Sequence, residues 1–151
     1  MIKKTITALT LALMLTLGAT FAFAQMPDFG QISPESLKEL EKEAAMTQAD
    51  VDAYIKILPN LGKAMSDPNA MAAMVKESGL SEARLGMVMT KVSLAQALAM
   101  GMTMEQLNSS LNAGQIPEVM KPTDADVALV KNNMEKINTA MMQMQQSMQP
   151  K

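Results

Sequence analysis

The sequence predicts an all-α protein, a compact bundle of five to six helices that follows an N-terminal signal peptide. Three observations carry this reading. Helix-capping residues recur along the chain, and between them apolar residues return every three or four positions. No segment shows the sustained apolar–polar alternation or the β-branched runs with hairpin turns that strands require.

The first 24 residues differ from the rest. Lys3 and Lys4 precede an apolar run over 6–17, and Ala22-Phe23-Ala24 places small residues at the two positions a signal peptidase reads. A positive start, an apolar core of about 7–15 residues and an A-x-A end describe a secretory signal peptide. An uncleaved anchor over 5–24 is the alternative, because about 20 apolar residues reach across a bilayer. The short core and the cleavage site favour removal. No cysteine follows the site, so lipid attachment there is excluded. The expected organisation is a signal peptide at 1–24, an irregular arm with Pro27 and Gly30 at 25–32, one helical domain at 33–148 and a tail at 149–151. A periplasmic or secreted protein with no membrane span in the mature chain follows.

Within the domain, Ser33 begins the first helix with Pro34 in its first turn, where a missing N–H costs nothing. Leu37, Leu40 and Ala44 face inward. Thr47, with Asp50 three residues on, caps a second helix that presents Val51, Tyr54, Leu58, Leu61 and Met65. Pro59 lies inside that pattern and predicts a kink there or a break after Leu58. Asp67-Pro68 starts a third helix, which carries Met71, Met74 and Val75 and stops at Gly79. Ser81 caps the fourth, which ends at Gly101. It is apolar on nearly every side, interrupted by Arg84, Lys91 and Gln96, and such a helix belongs in the centre of the bundle. Thr103 and Gln106 form a capping box for a short fifth helix ending at Gly114. A connector over 116–122 holds two prolines. Thr123 then caps the sixth and longest helix, reaching to about Met148. Its seam is Val127, Val130, Met134, Ile137, Met141, Met144 and Met148, in steps of three and four.

A faint repeat links Thr47-Gln-Ala-Asp-Val51 to Thr123-Asp-Ala-Asp-Val127. Shared capping chemistry explains it more simply than duplication. Both helices carry the seam that lets helices pack at a shallow angle, parallel or antiparallel.

Composition excludes several functions. Setting Lys3 and Lys4 aside leaves 11 basic against 15 acidic residues in the 127 that remain of 151, a net charge of −4. Nucleic acid and anionic membrane surfaces ask for clustered Lys and Arg, which are absent. With no cysteine and no histidine, imidazole and thiolate catalysis and most zinc, haem and iron–sulfur sites are unavailable. No Ser-x-x-Lys, Gly-x-Ser-x-Gly or phosphate-cradling glycine loop stands in the chain. Glu35, Glu39 and Glu43, with Lys38 and Lys42, read as ion pairs on a solvated helix face. Asp50, Asp52, Asp124 and Asp126 sit in first turns, where negative charge suits the helix dipole. The chain is read as non-enzymatic.

Methionine is what remains. Sixteen follow residue 24, against eleven leucines, while the only aromatics there are Phe29 and Tyr54. Thioethers fill irregular cores and line adaptable binding surfaces. They are also soft ligands suited to Cu(I). Two groups are candidate metal sites, Met100, Met102 and Met104 around one turn, and Met141, Met144 and Met148 along the last helix. Oxidation of surface thioethers to sulfoxides is a third use.

The leading functional expectation is an interaction protein of the cell envelope, chaperone- or adaptor-like, that takes a protein or a small apolar ligand and needs no cofactor. The alternative is a periplasmic Cu(I)/Ag(I)-binding protein. In composition the chain is similar to the cradle-shaped helical chaperones of the periplasm. Their repeated Leu-Thr-x-x-Gln signature is missing, and Met46-Thr-Gln48 has a different spacing.

Overall fold

A computed structural model describes residues 34–42, 45–64, 67–110 and 118–148. The signal peptide, the 25–32 arm and the 149–151 tail lie outside the described residues, as do Glu43, Ala44 and Met65 and the side chains of Leu37 and Met71.

The fold is all-α. The described residues form α1 (Pro34–Lys42), α2 (Gln48–Ala64), α3 (Pro68–Ser78), α4 (Glu82–Ala99), α5 (Met104–Ser110), a 3-10 turn (Glu118–Met120), α6 (Asp124–Asn132) and α7 (Met134–Met148). Local chemistry accounts for most boundaries. The Asp67 side chain accepts from the Asn69 N–H at the head of α3, and Ser81 accepts from the Arg84 N–H at the head of α4. Gly79 ends α3 at φ 72°, a left-handed conformation that glycine adopts without a Cβ penalty. Thr47 with Asp50, Thr103 with Gln106, and Thr123 with Asp126 each make the reciprocal capping box.

Several expectations need correction. The break after Leu58, one of the two outcomes expected at Pro59, does not occur: α2 continues through the proline to Ala64. Buried residues on both sides of the proline, Ile57, Leu58 and Ala64, pack against neighbouring helices and outweigh the lost hydrogen bond. The last helix is two, divided at Asn133. There the side-chain amide donates to the Leu129 carbonyl at 2.9 Å, the acceptor that the residue's own N–H would use in a helix. The Asn133 N–H turns to the Val130 carbonyl instead, one residue nearer. With that division seven α-helices are described, and the longest is α4 rather than the last one.

α4 is central. It packs on α1, α2, α3, α6 and the 3-10 turn, and Leu85, Met87, Val88, Val92, Leu94, Ala95 and Ala97 are buried around its circumference. α3 folds back antiparallel on α2, where Lys56 donates to the Glu77 carbonyl, and the two close over a small core of Ile57, Ala64, Met74 and Leu85. α7 lies along α2 in the same direction. Gln48 and Asn133 exchange amide hydrogen bonds of 3.0 and 3.1 Å at the N-terminal end. At the other end the Ser147 hydroxyl donates to the Pro59 carbonyl. The shallow packing that the seams predicted is therefore parallel.

The seam itself is displaced. The residues buried along α6 and α7 are Asp126, Val130, Asn133, Ile137, Ala140 and Met144, with Val127, Met134 and Met141 on the flank. Two of the six are polar, so an apolar pattern alone points one residue too far round.

Candidate functional site: the methionine turn after the central helix

The turn after α4 is built by a Schellman motif. The Met102 N–H bonds the Ala97 carbonyl at 3.1 Å and the Gly101 N–H bonds the Leu98 carbonyl at 3.0 Å, with Gly101 at φ 92°. One residue later the Thr103–Gln106 box starts α5. Two caps back to back tie down the Met100-Gly101-Met102 backbone with main-chain and capping hydrogen bonds while leaving its side chains outside. Met100 is 42 % exposed and Met102 38 %. Met104 points back and packs against the core. A shallow depression open to solvent lies alongside, lined by Met102, Glu105, Gln106 and Ser109. Its surface offers a thioether, a carboxylate, an amide and a hydroxyl, which suits contact with an apolar group bordered by polar ones.

The second methionine group is dispersed. Met144 is buried, Met141 is partly buried against the core, and the Met148 side chain lies outside the described residues. Met142, off the predicted seam, is 48 % exposed. Met100, Met102 and Met142 are the large apolar side chains that stand exposed among the described residues; no leucine, isoleucine, valine or aromatic does so.

Four charged residues matter more than their sequence context suggested. Asp50 accepts from both nitrogens of the Arg84 fork, at 3.0 Å from Nε and 2.8 Å from Nη2, and from the Thr47 N–H and hydroxyl. Asp126 accepts from Lys91 Nζ at 3.0 Å, from the Thr123 N–H at 2.9 Å and from the Met46 N–H at 3.0 Å. Burial pushes each carboxyl upward, and the cation and N–H donors together outweigh it, leaving both below the ordinary carboxylate range. The two aspartates occupy equivalent places in the Thr-x-Ala-Asp-Val phrases. Their partners Arg84 and Lys91 sit seven residues apart, two turns along one face of α4. The third interruption of that helix, Gln96, donates to the Met134 sulfur at 3.7 Å. Arg84, Lys91 and Gln96 therefore each meet a neighbouring helix, whereas the Thr90 and Ser93 hydroxyls donate to the Gly86 and Met89 carbonyls of α4 itself. The signal that finds this network is the pairing of two repeated Thr-x-x-Asp caps with two cations at heptad spacing.

This network consumes its own donors and acceptors and ties three helices together. Among the described residues no three carboxylates gather into a hard-metal site. Comparison with known proteins returns no matching family model, no matching curated protein and no matching solved structure.

Proposed function

We propose that this is an exported, non-enzymatic interaction protein of the cell envelope, periplasmic or secreted, that takes apolar segments of a protein or a small apolar ligand on its methionine turn. The observation that carries the reading is the identity of the large apolar side chains exposed among the described residues: all three are methionines, and two share one turn capped on both sides. Thioether side chains conform to partners of varied shape, which branched aliphatics do less well. The test is binding of the dye 1-anilinonaphthalene-8-sulfonate together with suppression of aggregation of a heat-unfolded client. Both activities are expected, and Met100→Ser with Met102→Ser weakens both without loss of helicity. Inertness toward dye and client alike overturns the reading.

A second reading, a Cu(I)/Ag(I) carrier, is favoured by the same exposure. The thioethers of Met100 and Met102 meet solvent on either side of a fixed glycine, whereas Met144 is committed to the core. Anaerobic Ag(I) titration followed by methionine methyl NMR decides it. Saturable shifts confined to Met100, Met102 and Met104 support the carrier, and their absence removes it.

A further inference from the structure

We infer that Met100 and Met102 form an oxidation site that switches the apolar turn off, so that the surface is governed by peroxide or hypochlorous acid outside the cytoplasm. The inference rests on the interaction reading for what is switched, but its chemistry stands on burial alone.

Methionine in this fold divides into sharply different environments. Met74, Met87 and Met120 are almost wholly enclosed, at 3 %, 0 % and 1 % exposure. Met46 and Met144 are buried as well, while Met89, Met104, Met134 and Met141 are packed against the core. Met100, Met102 and Met142 are open. Oxidation follows exposure, because a buried sulfur reacts only when the structure around it opens.

The step balances simply. The thioether sulfur attacks one oxygen of hydrogen peroxide, the O–O bond breaks, and a sulfoxide and water result. Sulfur loses two electrons and the peroxide gains them. With hypochlorous acid the products are the sulfoxide, chloride and a proton. On the turn the new S–O dipole meets water, so it carries no burial penalty. The helix ends beneath it are held by main-chain bonds, from Met102 to Ala97 and from Gly101 to Leu98, in which the sulfurs take no part. Sulfoxidation therefore changes the surface from apolar to polar and leaves the fold standing. Reduction by a methionine sulfoxide reductase restores it.

The experiment exposes the folded chain, as recovered from cells, to timed hydrogen peroxide, maps each methionine by peptide mass spectrometry, and measures dye binding on the same samples. Met100, Met102 and Met142 are expected to oxidise at least about tenfold faster than Met74, Met87 and Met120, which wait for local opening. Dye binding falls in step with Met100 and Met102. In Met100→Leu with Met102→Leu, which keeps the surface apolar and cannot form sulfoxides there, binding persists after the same exposure although Met142 still oxidises. Equal rates for exposed and enclosed methionines, with circular dichroism unchanged, overturn the oxidation site. Selective oxidation that leaves wild-type binding intact overturns the switch. No dye binding before oxidation defeats the interaction reading and the switch with it, while the rate map alone then judges the oxidation site.

Discussion

Lys91 in the middle of the central helix and Asp126 at the head of α6 form an ion pair 3.0 Å long whose side chains are 1 % and 2 % exposed. The two residues are 35 positions apart. Taking both charges out of water is costly, and only close pairing with added hydrogen bonds offsets it. Asp126 meets the condition by spreading its acceptors over the Thr123 and Met46 N–H groups as well. The pair thus fixes how α6 seats on α4 and, through Met46, where the chain enters α2.

Removing one partner exposes that cost. Lys91→Met is expected to destabilise the protein by about 3–5 kcal/mol, toward the lower value because Asp126 keeps two N–H donors. Replacing both, Lys91→Met with Asp126→Leu, recovers part of the loss, though the Thr123 box goes with it. Urea unfolding of the two variants checks this. A neutral Lys91→Met would show that the pair contributes nothing to holding α6 in place.

Acid weakens the fold through the same groups. Asp50 and Asp126 are held below the ordinary value of 3.8 in the native state, so the unfolded chain takes up protons first as pH falls. Their contribution is complete above about pH 5 and drains away as pH drops through the ordinary carboxylate range toward the native values. Urea midpoints measured from pH 7 to pH 2 decline accordingly. Asp50→Asn starts lower at neutral pH and shows a shallower decline; an unaltered slope contradicts the assignment.

Alkali acts through Tyr54. Burial pushes its hydroxyl from 10.0 up to about 12, since the phenolate is disfavoured away from water. The native state therefore holds this proton more tightly than the unfolded chain. The resulting stability is present below pH 10 and is lost as pH rises from 10 to 12. Tyr54 is the single tyrosine of the chain, so tyrosinate absorbance reports it without overlap. Tyr54→Phe is expected to flatten the alkaline loss.

Gly101→Ala tests the turn. A Cβ there meets nothing within 4 Å, so the whole cost is the left-handed backbone at φ 92°, about 1–2 kcal/mol. A much larger loss in thermal unfolding would mean that the Schellman turn is coupled to packing elsewhere.

The exposed thioethers illustrate how far sequence reasoning reaches. The Met100–Met104 group and the last-helix group look alike as strings, yet Met100 and Met102 stand exposed on a turn, while Met144 is buried and Met141 packs against the core. Apolar residues at helical spacing show that a stripe will be buried. They do not show that the stripe is centred on Asp126, Asn133 and Ala140, because beyond their local bonds Asp126 and Asn133 are satisfied by partners 35 to 85 residues away.

Sequence by itself determined the helical class, the caps at Asp67, Ser81, Thr103 and Thr123, and the stops at Gly79 and Gly101. Each depends on groups within a few residues of one another, so the chain carries the instruction locally. Tertiary structure alone decided the passage of α2 through Pro59, the division at Asn133, the parallel course of α2 and α7, and which methionines meet water. Those outcomes depend on burial against distant segments, and a charge or an amide can be buried only once its partner has arrived.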